Sequence, residues 1–443
     1  MRPAPRASTK VSRLLGRFRK LTLASALCLG LLAATASLAG ASPLAGVNIG
    51  GPDYGMRLSR ADQEIAQANA LHAKVVRIEI PWSVLEPLAS GQVDPQPLAF
   101  SDRLIADAAA DGIRVIMLVD GTPCWASSAP PSLRARCVPG QPSQANSWPP
   151  AHPADYAAFV AYLAQRYGGQ LAALEVWNEP DQANEDYFAG PHKAERYAEL
   201  LRAAYPAIKQ ADPHLTVLGG SLVGSNGIFL RALYAAGIKG YYDGLAVHFY
   251  TLTLAALRAI REVQLANGDA TPLWLDEFGW SSCWPAHQTE QEQACVTAKT
   301  QATNFRDLFR SLASTSYVAA AVFFKLQDSR GEEFGALNAR GARKPSFATL
   351  SQAFVSPLGS LSPVRLSLAT RGGQVVASGS GPVGDFMQME VLQRGVPRFR
   401  ALFTLDRFNR YSLALPRVLG SSGLRVRVWQ RWGGIARGVT KSI

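Results

Sequence analysis

Two short segments carry the residues best suited to chemistry in this chain. Residues 177–180 read Trp-Asn-Glu-Pro and residues 276–279 read Asp-Glu-Phe-Gly, and each segment follows an apolar run typical of a β-strand. In a (β/α)₈ barrel, the catalytic groups lie where the strands end. Cleavage of a glycosidic bond needs two carboxyl groups, an acid for the leaving oxygen and a nucleophile or base at the sugar carbon. Glu179 and Glu277 therefore predict cleavage of a sugar chain.

Eight apolar runs alternate with helical patterns from residue 47 to about residue 354, an order that predicts a (β/α)₈ TIM barrel. The runs lie at 47–50, 74–80, 113–119, 171–176, 215–218, 244–250, 272–275 and 318–326. A doubly wound sheet shares this alternation, so the strand count alone leaves that fold open. In the barrel, Glu179 and Glu277 follow the fourth and seventh strands.

The pattern changes after Phe354. A linker-like stretch at 356–360 precedes short alternating runs at 365–368, 386–391, 398–403, 411–415 and 424–429. Alternation with turn residues between the runs is typical of an antiparallel sandwich. We therefore expect a catalytic barrel over 42–355 and a small all-β sandwich domain over 361–443.

Further motifs accompany the two carboxylates and carry a resemblance to a known family. They are Arg77 on the second strand, residues 122–126 (Thr-Pro-Cys-Trp-Ala), 166–169 (Arg-Tyr-Gly-Gly), 248–250 (His-Phe-Tyr) and 344–346 (Lys-Pro-Ser). Together with the two carboxylate motifs, this pattern resembles clan A retaining glycoside hydrolases, most closely family 39 and related exopolysaccharide endoglycosidases. The resemblance covers roughly residues 46–354.

The resemblance implies a role for each site residue. Glu179 would be the acid/base and Glu277 the nucleophile, while Asn178 would donate to the sugar hydroxyl beside the reacting carbon. His248 and Tyr250 would touch the nucleophile or the sugar, although a packing role for His248 stays open. The physical chemistry requires the same division, since the acid must hold a proton and the nucleophile must be ionised beside donors or a cation. Arg77 is the candidate cation.

Several other side chains near strand ends have two interpretations. Trp82, Trp125 and Trp280 either stack on sugar rings or anchor the core and loops. Glu79 and Glu175 share the inward phase of their strands, which favours structural pairing with Arg77 over chemistry.

The eighth strand departs from the clan pattern. Phe324 and Lys325 stand where the clan usually has a Trp that lines the sugar pocket. Lys325 would either favour an acidic or pyruvylated sugar or lie on the rim.

Residues 1–41 contain seven basic residues and no acidic one, with an apolar run at 21–38 and small residues at its end. This order is typical of a secretory signal peptide. An uncleaved anchor is the alternative, but Gly30 and the Ala, Thr and Ser content weaken the run as a membrane span. We expect a secreted or periplasmic protein with no membrane span after cleavage.

Four cysteines remain once Cys28 is removed with the signal, and they allow three pairings. Two local disulfides, Cys124–Cys137 and Cys283–Cys295, are favoured, because each would close one surface loop in an oxidising compartment. A metal site is the weaker alternative, since His287 follows Cys283 at a usable spacing but a full set of four ligands is not evident.

Charge is unevenly placed along the chain. Residues 361–443 hold 13 basic and three acidic residues, whereas residues 42–360 hold 25 basic and 30 acidic residues. The basic C-terminal domain would either help to hold an anionic glycan or only cover one side of the barrel with solvated arginines.

The sequence thus predicts a secreted retaining glycoside hydrolase that acts on a polysaccharide, an acidic one if Lys325 reads the sugar. We expect no cofactor and no metal, and the sequence indicates no oligomeric state. The alternative is a catalytically silent carbohydrate-binding protein of polysaccharide export or anchoring, against which the presence of both glutamates argues. Nucleic-acid binding through the basic domain is disfavoured by the secretory signal.

Overall fold

Eight parallel strands close into a barrel. Each strand pairs with the next one along the chain, and β8 pairs with β1 to close the barrel. The computed structural model describes residues 42–52, 58–250, 254–286, 295–313, 315–356, 361–384, 386–432 and 435–443. The barrel strands are β1 (Leu44–Asn48), β2 (Val75–Pro81), β3 (Arg114–Asp120), β4 (Leu171–Val176), β5 (Val217–Leu222), β6 (Gly244–Phe249), β7 (Leu273–Phe278) and β8 (Val318–Phe323). The expected TIM barrel is confirmed.

Helices cover the outside of the barrel. They are α1 (Leu58–Ala70), α2 (Trp82–Leu85), α3 (Pro95–Ala110), α4 (Pro131–Arg134), α5 (Pro153–Tyr167), α6 (Lys193–Ala211), α7 (Ile228–Ala235), α8 (Ala255–Ala266), α9 (Ala298–Leu312) and α10 (Pro345–Val355). Their apolar faces pack on the outward residues of the strands, such as Ile78 and Ile80 on β2, in one continuous core. This shell holds the strand ends, and therefore the site, in place.

The inside of the barrel changes from apolar to charged along the strands. Small and branched residues such as Val75, Ala173 and Ala320 pack around Trp274 in a buried cluster. Alternate residues of a strand share a face, so β2 continues from Val75 to Arg77 and Glu79 on the same side. Charge is thereby confined to the half of the barrel where the strands end.

Two antiparallel sheets follow the barrel, as the sandwich prediction required. One has the order β13-β10-β9 and the other β12-β11-β14-β15. The strands are β9 (Arg365–Arg371), β10 (Gln374–Ser380), β11 (Met387–Gln393), β12 (Val396–Phe403), β13 (Arg410–Ala414), β14 (Leu424–Trp432) and β15 (Ile435–Ser442). On β14, Arg425 and Arg427 are exposed while Val426 and Val428 are buried, which confirms the expected alternation.

Strands β10 and β15 were not predicted from the sequence. Both carry small or polar residues at most positions, Gln-Val-Val-Ala-Ser-Gly-Ser in β10 and Ile-Ala-Arg-Gly-Val-Thr-Lys-Ser in β15. Pairing with β9 and β14 places them in the sheets despite this weak pattern.

Helix α9 connects the barrel to the C-terminal sheets. On its inner side, Gln301 Nε2 donates to the Trp280 carbonyl at 2.8 Å and to the Phe334 carbonyl at 3.2 Å. On its outer side, the buried Asn304 accepts a 2.7 Å hydrogen bond from Asn409, and Arg306 donates to Ser362 at 2.6 Å. The helix therefore bonds both to the loop after β7 and to the C-terminal domain.

Both expected disulfides are present. Cys124 pairs with Cys137 and Cys283 with Cys295, with Cα–Cα distances of 5.7 and 5.4 Å. The proposed metal ligand Cys283 is thus bonded to sulfur, and His287 lies outside the described residues. The expected signal peptide at 1–41 also lies outside them. Among the helices that the structure describes, none has the length and apolar character needed to cross a membrane.

Candidate active site

Arg77 lies at the centre of the polar network inside the barrel. It is 5% exposed, and its guanidinium group donates from Nε and Nη2 to both oxygens of Glu175, at 2.9 and 2.8 Å. Nη1 donates to Glu277 Oε2 at 3.2 Å, and Nη2 also donates to Asn178 Oδ1 at 3.0 Å. The fork of N–H groups thus connects residues of β2, β4 and β7 in a fixed geometry.

The pKa values of two buried acids in this network, Glu175 and Asp276, are shifted in opposite directions. Burial raises the pKa of Glu175, but its ion pair and hydrogen bonds with Arg77 outweigh burial and hold that pKa below its usual value. For Asp276, burial and the neighbouring charge of Glu175 raise the pKa well above its usual range. Glu175 is therefore the carboxylate that balances Arg77. The expected pairing of Glu175 with Arg77 is confirmed.

A sharp turn after β4 brings Glu179 into the pocket. Trp177 and Glu179 have φ angles of 70° and 45°, values that are costly for residues other than glycine. Trp177 is fully buried against Phe188, and its Nε1 donates to the Tyr187 carbonyl at 2.8 Å. Packing and this hydrogen bond therefore stabilise the strained turn.

Glu179 is held at both carboxylate oxygens. His248 Nδ1 lies 2.6 Å from Oε1, and Gln182 Nε2 donates to Oε2. The side chain of His248 is fully buried, with Nε2 3.7 Å from Glu277 Oε2 and 3.8 Å from Asp276 Oδ2. Burial opposes the charged imidazolium, but these acids outweigh burial and raise the pKa of His248 to about 9. His248 is thus a cation that donates to Glu179 at neutral pH.

Glu277 has different partners. Tyr250 donates its hydroxyl to Oε1, and Arg77 donates to Oε2. Burial, followed by the charge of Glu277, raises the pKa of Tyr250 well above its usual value, so the phenol keeps its proton. One cationic and one neutral donor therefore bind the carboxyl group of Glu277.

The two glutamates face each other. One carboxylate oxygen of Glu179 and one of Glu277 lie within 4.8 Å of each other, and a ring nitrogen of His248 lies within 4.8 Å of both oxygens. The glutamates line a pocket of about 330 Å³ at the end of the barrel where the strands finish. Asn178 and Arg77 line the same pocket. The structure thus brings Glu179, Glu277, Asn178, Arg77, His248 and Tyr250 together.

The three tryptophans with two interpretations are not among the described residues that line this pocket. Trp82 is fully buried between Tyr156 and Phe159, and Trp280 is 1% exposed against Phe305. Their expected role in sugar binding needs correction, because neither ring has a free face. Trp125 is partly buried, with its edge on Trp82 and its Nε1 donating to the Glu86 carbonyl at 3.0 Å.

Two other side chains near the strand ends, Glu79 and Lys325, also line the pocket. Glu79 was expected to pair inside the barrel but is exposed and lines the pocket. Lys325 lines the pocket too, and its Nζ is bonded to Glu332 at 2.5 Å and to Ser329 at 2.7 Å.

Three residues of the site escaped the sequence analysis. They are Asn48, which accepts from Arg77 at 3.0 Å, Gln182, which holds Glu179, and Tyr187, which lines the pocket. Asn48 sits at the end of β1, so its position at a strand end was the available signal. The other two lie on the loop after β4, where no periodic pattern indicates the direction of a side chain.

Glu179, His248 and Glu277 are residue types that bind metals, as are Glu175, His248 and Asp276. A histidine ligand must be neutral. Here His248 carries a proton through its raised pKa, and Arg77 already balances the acids. The donor set therefore suits proton transfer better than metal binding.

No protein-family model and no curated protein matches the sequence. Solved structures do match. The GH39 enzyme of Xanthomonas axonopodis pv. citri has a TM-score of 0.54 at 15% identity, over 87% of this chain and 93% of that one. A GH39 β-xylosidase of Caulobacter crescentus has a TM-score of 0.54 at 16% identity, over 85% and 93%. This chain has the fold of family 39 glycoside hydrolases.

That fold also occurs in other clan A enzymes. The endo-β-1,4-mannanase of Thermotoga petrophila has a TM-score of 0.52 at 15% identity, over 90% of this chain and 97% of that one. The alignments extend well beyond the barrel of this chain. At these identities, the similarity establishes the fold and leaves activity to be argued from the site.

Proposed function

We propose that the protein is a secreted retaining glycoside hydrolase that cleaves O-glycosidic bonds of a polysaccharide, with an exopolysaccharide as the expected substrate. The observation that carries this proposal is the facing pair Glu179 and Glu277. Their closest oxygens, within 4.8 Å, fit the carboxyl separation of about 5–5.5 Å in retaining enzymes better than the roughly 6.5–9.5 Å of inverting ones.

In the first step, Glu277 attacks the anomeric carbon while Glu179 passes the proton that it shares with His248 Nδ1 to the leaving glycosidic oxygen. The bond between carbon and oxygen breaks, and an ester between the sugar and Glu277 forms. In the second step, Glu179 takes a proton from water, whose oxygen attacks the anomeric carbon and releases Glu277. Glu179 is thereby reprotonated for the next cycle, and the sugar leaves with its original anomeric configuration.

The partners of each glutamate suit these roles. Arg77 and Tyr250 donate to Glu277 and so stabilise its anion before attack and after release. His248 and Gln182 orient the carboxyl group of Glu179 toward the pocket. Asn178 lines the same pocket and is available to a sugar hydroxyl.

The two disulfides favour an oxidising compartment outside the cytoplasm, in keeping with the basic and apolar N-terminal segment.

The test is a reducing-sugar assay on a panel of polysaccharides with the wild-type protein and the Glu179→Gln and Glu277→Gln variants. We expect release of reducing ends by the wild type and a loss of at least about 10³-fold in both variants. Glu199→Gln, an exposed glutamate on α6, is the matched control and should keep full activity. Proton NMR of the first product should show retained anomeric configuration.

An inverted product would refute double displacement. Binding of a glycan without any release of reducing ends would favour the alternative of a silent carbohydrate-binding protein.

A further inference from the structure

The loop between β4 and α6, residues 177–192, carries Glu179 near its start. The backbone is strained there, with φ angles of 70° at Trp177 and 45° at Glu179. Such conformations are costly and persist only where the surroundings hold them. Packing of Trp177 holds the chain before Glu179, and a second set of contacts holds the chain after it.

Asp181 makes the first of these contacts, two residues after Glu179. Its Oδ1 accepts a 3.0 Å hydrogen bond from the amide of Val223, and its Oδ2 accepts a 2.8 Å hydrogen bond from the amide of Gly224. Both amides follow directly after β5. Asp181 therefore joins the loop that carries Glu179 to the end of the neighbouring strand.

Gly224 allows this close approach. A Cβ atom at residue 224 would lie 2.8 Å from Asp181 Oδ2, which is closer than real Cβ atoms come to other heavy atoms. Any side chain there would therefore displace the carboxyl group and break its hydrogen bonds. The contact can thus be disrupted from residue 224 as well as from residue 181.

Lys193, the first residue of α6, holds the same loop from the other side. Its Nζ donates to the carbonyl of Gln182 at 2.7 Å and to the carbonyl of Asn184 at 2.9 Å. The side chain of Gln182 in turn donates to Glu179 Oε2. A carboxyl group and an ammonium group therefore hold residues 181–184, and one residue of this segment is bonded to the acid/base.

Of the described residues that line the pocket, none is Asp181 or Lys193. A sugar in the pocket therefore meets Glu179 but not the two residues that hold its loop. Any effect of Asp181 on the reaction acts through the position of that loop.

Building on the proposed hydrolase activity, we propose that Asp181 is a positioning residue for the acid/base. Its bonds to Val223 and Gly224, together with those of Lys193, keep the strained turn closed and aim the carboxyl group of Glu179 at the glycosidic oxygen. A misplacement of about 1 Å at such a group can cost about 100-fold in rate. Asp181 therefore matters most where the leaving group most needs a proton.

Two aryl glycosides of the sugar that is released in the polysaccharide assay measure this effect. Departure of 2,4-dinitrophenolate needs no proton, whereas departure of phenolate is assisted by a proton from the general acid. Asp181→Asn turns one acceptor oxygen into an N–H donor that faces an amide. We expect it to lower kcat/KM about 10- to 100-fold for the phenyl glycoside and less than about threefold for the dinitrophenyl glycoside.

Asp186→Asn is the matched control on the same loop. Its exposed side chain accepts a hydrogen bond from Asn184 and can still do so as asparagine, so both glycosides should be cleaved at the wild-type rate. Gly224→Ala should reproduce the pattern of Asp181→Asn, and it replaces that variant if circular dichroism shows that Asp181→Asn does not fold.

An equal loss on both glycosides would overturn the proposal, because it would indicate a general effect on folding or on sugar binding. Wild-type cleavage of the phenyl glycoside by both Asp181→Asn and Gly224→Ala would overturn it as well.

Hydrogen exchange followed by mass spectrometry tests the same contact without turnover. In Asp181→Asn, peptides that cover residues 179–184 and 222–225 should exchange at least about 10-fold faster, and in Asp186→Asn they should not. Unchanged exchange in Asp181→Asn would contradict the proposed role. If the wild type cleaves nothing but exchange still rises in Asp181→Asn alone, the hydrolase proposal fails and the hold of Asp181 on the loop stands.

Discussion

Raising the pH above neutrality should destabilise the protein through His248. In the folded chain its pKa is about 9, against an ordinary value of 6.5, because the attraction of Glu277, Glu179 and Asp276 outweighs burial. The folded state therefore binds this proton more tightly than the unfolded chain. The resulting stabilisation is fully present below about pH 6.5 and is lost as the pH rises through about 9. The shift corresponds to about 3 kcal/mol.

Urea unfolding, followed by tryptophan fluorescence from pH 6 to pH 10, measures this loss. The matched variant is His248→Gln, which removes the titrating group while keeping a donor for Glu179. We expect the wild type to lose about 3 kcal/mol more than the variant across this range.

Parallel losses in the two proteins would refute the reasoning. They would mean that His248 is neutral in the folded state. The three neighbouring acids would then not raise the pKa of its imidazole. A wild-type stability that rises between pH 7 and 9 would contradict the sign of the linkage.

Three further substitutions test other parts of the structure. Arg77→Met should lower the free energy of unfolding by about 3–5 kcal/mol, because it leaves the buried carboxylate of Glu175 without its cation. As a control, Arg103→Met at an exposed ion pair should change the free energy of unfolding little. Replacing both Cys124 and Cys137 by alanine should cost about 3 kcal/mol in chemical unfolding, given the 13-residue separation. Exchanging the exposed Arg425 and Arg427 for glutamine should reduce retention on an acidic polysaccharide matrix at low salt, with retention on a neutral matrix and cleavage of short substrates unchanged.

The barrel and the position of its acids could be predicted from the sequence because strand ends carry a strong signal. Apolar runs identified each barrel strand, and the side chains that follow them must meet at one edge of a parallel barrel. Arg77 and Glu175 could be paired in advance from strand phase alone. The local disulfides followed from short spacing.

The tryptophans could not be placed in the same way. Trp82 lies one residue beyond β2, where a side chain can face either the pocket or the surrounding helices, and the short helix α2 directs it into the core. Glu79 shows the converse case. Its side chain lies on the same face of β2 as that of Arg77. Two residues further along the strand, however, the barrel interior opens into the pocket, so the side chain of Glu79 is exposed.

The double attachment of α9 has a consequence for how the molecule melts. Loss of the C-terminal sheets would leave Asn304 without the amide that it binds and would uncover the helix whose Gln301 holds the Trp280 carbonyl. Buried amides without partners are costly, so separate melting of the two domains is disfavoured. Heating in a scanning calorimeter should therefore give a single endotherm, with loss of catalytic activity at the same temperature as loss of the C-terminal sheets.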